Sequence, residues 1–204
     1  MNRHAQLVQQ LVSQNINIKK LPKSKLISLA VFAAILSAKP AMALGEYFSG
    51  GFSSVVTYRW IYSNMTSQYA SAYVIPGAGS QWNGISSRVS LTRVTTGSYV
   101  VNAQVATGTD PSVTGLTTVY CASGSGSICA SSTWSSARIY GYENAMAASS
   151  YTTTQRIKTF THEFGHTLSL SHVTNGSAAV MAQGKSDLGV QAYDKANLRA
   201  KWGN

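Results

Sequence analysis

The sequence predicts an α+β domain, and three observations carry that prediction. Residues 54 to 142 hold five runs of β-branched and aromatic residues in near-alternation, the period-2 pattern of half-buried strands. Residues 152 to 168 then place Ile157, Phe160, Phe164 and Leu168 at helical intervals, with Gly165 the only glycine or proline in the stretch. A last stretch, 186 to 202, offers Leu188, Tyr193, Leu198 and Trp202 to a core in the manner of a closing helix. Strands come first and helices after, the segregated order of an α+β fold.

The chain opens on a segment unlike the rest. Residues 1 to 43 contain Arg3, Lys19, Lys20, Lys23, Lys25 and Lys39 and no acidic residue. An 11-residue apolar run, Leu26 to Leu36, follows the lysines, and a small-x-small exit ends at Ala43. That order is the pattern of a secretory signal, with cleavage expected after Ala43. A spanning helix needs about 20 apolar residues, so a membrane anchor is not expected. Six of the sixteen basic residues lie in this segment, which leaves ten against six acidic ones in residues 44 to 204. The remaining positives, among them Arg59, Arg88, Arg93, Arg138 and Arg156, are scattered and read as solvated surface. No basic patch of the kind nucleic acid requires is present.

The strands are expected at 54–62, 88–92, 98–105, 116–121 and 137–142. Residues 66 to 84, between the first two, have room for a helix whose limits Pro76 obscures. The chain has two cysteines, Cys121 and Cys129, both after the signal. An oxidising destination and an even count favour one disulfide closing a small Gly/Ser loop. Chain entropy assigns such a bridge roughly 2.5 kcal/mol. Two thiolate ligands to zinc would need two more ligands nearby, and residues 110 to 140 contain no histidine.

The chemistry is concentrated in residues 162 to 172, which hold three of the chain's four histidines. His162 and His166 are four apart on the predicted helix, so their imidazoles leave one face and can share a metal ion. Glu163, beside the first ligand, can reach a water on that metal without being a ligand. Catalytic zinc sites use three protein ligands and keep one position open. His172 is the obvious third ligand if the helix stops and the chain turns back. The alternative third ligand is Asp187, which would leave His172 unexplained; no glutamate follows the motif.

His162, Glu163, His166 and His172 resemble, at the same spacing, the signature of the metzincin zinc peptidases, H-E-x-x-H-x-x-G-x-x-H followed by a methionine turn. Met181, nine residues beyond His172, looks like the Met-turn methionine, a structural floor rather than a ligand. The segment His162 to His166 and the closing residues 193 to 203 look most like the matrixin branch. The resemblance is strong over residues 155 to 203 and rests on strand order alone over 54 to 142. Ser169 departs from it, standing where the family has glycine. A left-handed turn there costs an ordinary residue roughly 1–2 kcal/mol, so either strain or another local geometry is expected.

The resemblance implies a small metzincin-like catalytic domain over residues 44 to 204, with a mixed twisted sheet, an active-site helix, a Met-turn and a C-terminal helix. It implies a secreted, monomeric zinc endopeptidase with one catalytic Zn2+, a protein or peptide substrate, and Glu163 as general base. Substrate would lie extended along an edge strand, assigned by strand order to residues 116 to 121, with the Cys121–Cys129 bridge stiffening the rim. Side-chain preference would be set by a pocket built partly from Ala182, Gln183 and Gly184. Some members carry a tyrosine two residues after the methionine; here that position is Gln183, so none is expected. A second zinc has no histidines left to hold it. Asp110, Asp187 and Asp194 are few and far apart in sequence, which leaves calcium possible but does not indicate it. The competing function class is a secreted binding protein on the same scaffold that no longer cleaves, whose mark would be a lost Glu163 or ligand.

Overall fold

A computed structural model gives the fold over residues 45–53, 55–122 and 131–204, which lie in one compact unit spanning Leu44–Asn204. The expected signal, 1–43, and Cys129 lie outside the described residues. Five strands form one sheet: β1 (Val56–Ser63), β2 (Val89–Arg93), β3 (Val101–Ala106), β4 (Gly115–Cys121) and β5 (Trp134–Tyr142). Their order across the sheet is β2-β1-β3-β5-β4. Neighbours are parallel except β4, which pairs antiparallel with β5 at the edge. The fold is thus mixed α/β with a mostly parallel sheet, compatible with the predicted α+β class. Alternation explains the strands: in β1, Val56, Tyr58 and Trp60 are buried while Thr57 and Arg59 are exposed. A sheet with one face packed on helices selects this pattern.

The chain between β1 and β2 is helical over 67–82, and we label it α1. It opens as an α-turn, Ser67–Tyr69, widens to a π-helical stretch, Ala70–Val74, and continues as α-helix Ile75–Trp82. The widening has a local cause. Pro76 has no N–H to give to the carbonyl four residues back, so the register is disturbed just before it. A short helix, α2 (Glu143–Ala148), follows β5 and was not expected from the sequence. The long helix α3 (Thr153–Thr167) matches the predicted one closely, because Thr152 and Gln155 form a reciprocal capping box at its start. Its apolar stripe buries Phe160, Phe164 and Leu168 against the sheet and α1, while Ile157 is only half-buried.

The closing helix α4 covers Ala192–Trp202, shorter than the predicted 186–202. Residues 186–191 are not helical and Leu188 is only half-buried, whereas Tyr193, Leu198 and Trp202 are core residues. The start is set by Gln191 and Asp194, which cap one another's backbone, a signal that apolar spacing does not contain. Arg156 also departs from its surface reading. It pairs with Glu143 at 2.8 Å and donates to Tyr151 O, tying α2 to the start of α3. Cys121, at the end of β4, is disulfide-bonded. Among the described residues, no helix is long and apolar enough to cross a membrane.

Candidate metal centre

The site is built at the C-terminal half of α3, and how that helix ends decides its geometry. Leu170 N donates to Gly165 O at 3.1 Å and Ser169 N to His166 O at 3.0 Å. These are the two bonds of a Schellman turn, which requires a left-handed residue between them. That residue is Ser169, with φ at +67°. Of the two outcomes the sequence left open, the strained one is observed. The turn sends the chain back so that His172 faces the helix. His162, His166 and His172 thereby present nitrogens that all lie within 4.8 Å of one another.

Ser169 is accommodated by its neighbours. It is fully buried, and its hydroxyl has no hydrogen-bond partner among the described residues. The segment 46–51 runs alongside: Phe48 N donates to Ser169 O at 2.7 Å and Ser171 N to Glu46 O at 3.0 Å. Gly51 packs onto the serine so closely that a Cβ there would stand 2.6 Å from Ser169 Oγ and 2.8 Å from Trp202 Cη2. Trp202 of α4 completes the brace by donating its indole N–H to Leu168 O at 2.7 Å.

Each helix histidine is oriented by a backbone carbonyl. His162 Nδ1 lies 2.9 Å from Val180 O and His166 Nδ1 lies 2.8 Å from Leu170 O. A carbonyl can only accept, so the hydrogen-bond network assigns the proton to Nδ1 in both rings and leaves Nε2 as a bare lone pair. Outer contacts of this kind orient the histidines of metal sites. His166 Nε2 and His172 Nε2 are 3.2 Å apart. Two nitrogens bound to one tetrahedral zinc at 2.0–2.1 Å would be separated by about 3.3 Å. Burial lowers the affinity of all three rings for protons: His162 is held well below 6.5, with His166 and Lys158 adding to the effect, His166 falls to about 4, and His172 is lowered as well. Neutral imidazole is the form that ligates metal. Asp187, the alternative ligand, is not part of the cluster.

Glu163 points between α3 and the edge strand. Thr117 Oγ1 stands 2.8 Å from Glu163 Oε2 and 2.9 Å from Glu163 O, and Oε1 faces Gly115. The side chain is buried, which pushes its pKa up to about 7 against the opposing influence of Thr117 and Lys158. Met181 is buried beneath the site. A Cβ on Gly165 would collide with the methionine sulfur and with the Trp82 ring, so the thioether lies directly on the helix between the two histidines.

Three further residues shape the centre without having been singled out for it in the sequence. Asp194 accepts from Val180 N at 2.8 Å, Met181 N at 3.2 Å and Gln191 N at 2.8 Å, so one buried carboxylate ties the turn at 180–181 to the start of α4. Its oxygens are taken by amides, and burial raises its pKa despite those bonds. Because Val180 O in turn orients His162, Asp194 acts on a ligand through one peptide unit. Thr117 and Lys158 are the others. Only the capping pair Gln191 and Asp194 left a trace in the sequence.

No protein-family model matches this chain, and no curated protein sequence matches it. The residues therefore carry the functional argument alone.

A cavity of about 610 Å³ opens over the centre, lined by the three histidines and Glu163, by Gly115, Leu116, Thr117 and Val119 of β4, and by Lys158, Gln183 and Gly184. Gln183 and Gly184 thus line the pocket as the sequence suggested, while Ala182 contributes its carbonyl to Lys158.

Proposed function

We propose that this protein is a zinc-dependent endopeptidase of the metzincin type, close to the matrixin branch, acting after export. The observation that carries the reading is the donor set: three neutral histidines with convergent nitrogens, two of them locked by carbonyls, beside one buried carboxylate. His162, His166 and His172 would hold the ion. Three imidazoles and an open side are the donor chemistry of catalytic zinc, rather than of calcium or magnesium, which take oxygen ligands. Zinc bound there supplies Lewis acidity, which polarises a carbonyl and makes water a better acid.

The chain's own part falls to Glu163. Its Oε2 is engaged by the Thr117 hydroxyl, leaving Oε1 to take a proton from the attacking water and hand it to the departing amine nitrogen. Thr117 fixes the carboxylate's rotamer across from the helix.

Peptide binding is supported by β4. Among the described residues it pairs with β5 alone and stands at the edge of the sheet, where an extended chain can add, and Leu116 on it is 44% exposed. Met181, packed on Gly165, serves as the floor under the ligands, and the segment after it forms the far wall. Export is supported by the basic, apolar and small-residue order of residues 1–43 and by the disulfide at Cys121, which persists in oxidising compartments.

The test compares wild type with Glu163→Ala on casein and a peptide library, with zinc measured in both. Chelator-sensitive cleavage by wild type, lost in the variant at unchanged zinc content, is the expected result. Wild type that binds zinc and cleaves nothing would instead indicate a non-cleaving binding protein.

A further inference from the structure

Lys158 is the residue of the cavity that the proposed chemistry does not use. It stands one turn before His162 on the same face of α3 and is only 6% exposed. Lysine is almost never this buried without a partner that accounts for its charge. Its Nζ donates to Ala182 O at 2.8 Å and Gly184 O at 3.0 Å, the wall that follows Met181. An ammonium has three donors, so among the described residues one remains uncommitted. Glu163 and Asp194 act on it at a distance, yet neither forms an ion pair with it: Arg156–Glu143 is the only salt bridge among the described residues. The Asp194 oxygens are already committed to three amides and Glu163 Oε2 to Thr117.

Lys158 also lines the cavity, in the company of Tyr151, Thr159 and Gln183. Apart from Glu163 and the histidines, the lining carries no other ionisable group but the Tyr151 phenol. Beyond the Glu163 carboxyl the recess is therefore uncharged and partly apolar, with the Lys158 ammonium at its side and one of its N–H groups uncommitted among the described residues. A carboxylate entering it would meet a preplaced donor whose stem is already ordered, so little rotamer entropy is lost on binding.

We infer that Lys158 is a specificity-determining residue, and that the substrate side chain entering this recess, next to the scissile bond, is a carboxylate, Asp or Glu. The inference rests on the endopeptidase reading and names its substrate class. Arginine and lysine side chains are disfavoured by the same ammonium, and large apolar ones would leave its remaining N–H facing them without a hydrogen-bond acceptor.

The experiment has two arms. In the first, the zinc-loaded full-length exported protein meets peptides identical except for Glu, Gln, Leu or Lys scanned through the positions flanking the cut. In the second, the same peptides, fluorescently labelled, bind to the Glu163→Gln protein, with anisotropy as the readout and no turnover required. At one flanking position, Glu is expected to exceed Gln by at least about tenfold in kcat/KM and in affinity, the worth of one charge-assisted bond in a recess shielded from water. Lys158→Met, which keeps the stem and removes the charge, should shrink that ratio to about twofold or less and favour Leu. Equal treatment of Glu and Gln in either arm overturns the inference, and in the first arm that comparison uses wild type and needs no variant to fold. Cleavage of nothing, with Glu peptides still bound preferentially in a Lys158-dependent way, overturns the endopeptidase reading and leaves the recess as assigned.

Discussion

Replacing Ser169 by glycine should stabilise the protein, and the structure gives the size of the effect. Ser169 holds a left-handed backbone at the end of α3, with φ at +67°, which costs a residue with a Cβ roughly 1–2 kcal/mol. Its hydroxyl is buried with no partner among the described residues, a further cost of about 1–3 kcal/mol. Against this, glycine adds about 0.4–1 kcal/mol of unfolded-state entropy and gives up the packing of one small side chain on Gly51. Ser169→Gly is thus expected to gain about 1–3 kcal/mol, read as a higher urea midpoint at unchanged slope. The partner substitution, Gly51→Ala, meets Ser169 Oγ at 2.6 Å and the Trp202 ring at 2.8 Å, and should lose several kcal/mol. In a double-mutant cycle, Ser169→Gly should recover part of that loss and not all of it, because the indole stays. A Ser169→Gly protein less stable than wild type, or strict additivity with Gly51→Ala, would refute the reasoning about this turn.

Two other outcomes follow from the same contacts. Asp194→Ala strands three backbone N–H groups, those of Val180 and Met181 buried and that of Gln191 half-buried, and should cost about 3–5 kcal/mol in urea unfolding. Since the peptide it holds also orients His162, zinc affinity measured by chelator competition should fall by about tenfold or more. Glu143 governs part of the acid response: burial would raise its pKa, but the Arg156 and Tyr69 bonds and the Arg156 charge outweigh that and hold it below 4.5. Between that lowered value and 4.5 the unfolded chain binds more protons, so this contribution is complete above 4.5 and is lost as pH falls through the folded value. Glu143→Gln should accordingly flatten the fall in melting temperature below about pH 5, the range set by an ordinary carboxyl.

What could be read from the sequence were the parts whose cause is local. The extent of α3 follows from apolar spacing without an interrupting proline, and His162, Glu163 and His166 from helical spacing, so both are placed without knowing the fold, while the structure adds the Thr152 cap. Ser169 was marked as the anomaly because one turn needs one conformation. The rest depends on contacts distant in sequence. Thr117 reaches Glu163 across 46 residues and Asp194 reaches Val180 across 14, and neither leaves a periodic trace. Lys158 was hidden for another reason, since a lysine on an amphipathic helix ordinarily faces water. The early start given to the closing helix came from counting Leu188 as core, whereas the capping pair begins it at Ala192.

The central claim is that one zinc ion held by His162, His166 and His172 is what makes this chain a hydrolase. Titrating zinc into the stripped protein while following casein cleavage tests it most directly, with His172→Ala measured alongside. Activity should rise in proportion to bound zinc, saturate at one ion per chain, and be abolished in the variant together with tight binding. Cleavage that persists in the stripped protein, or that is fully restored by zinc in the absence of His172, would contradict it.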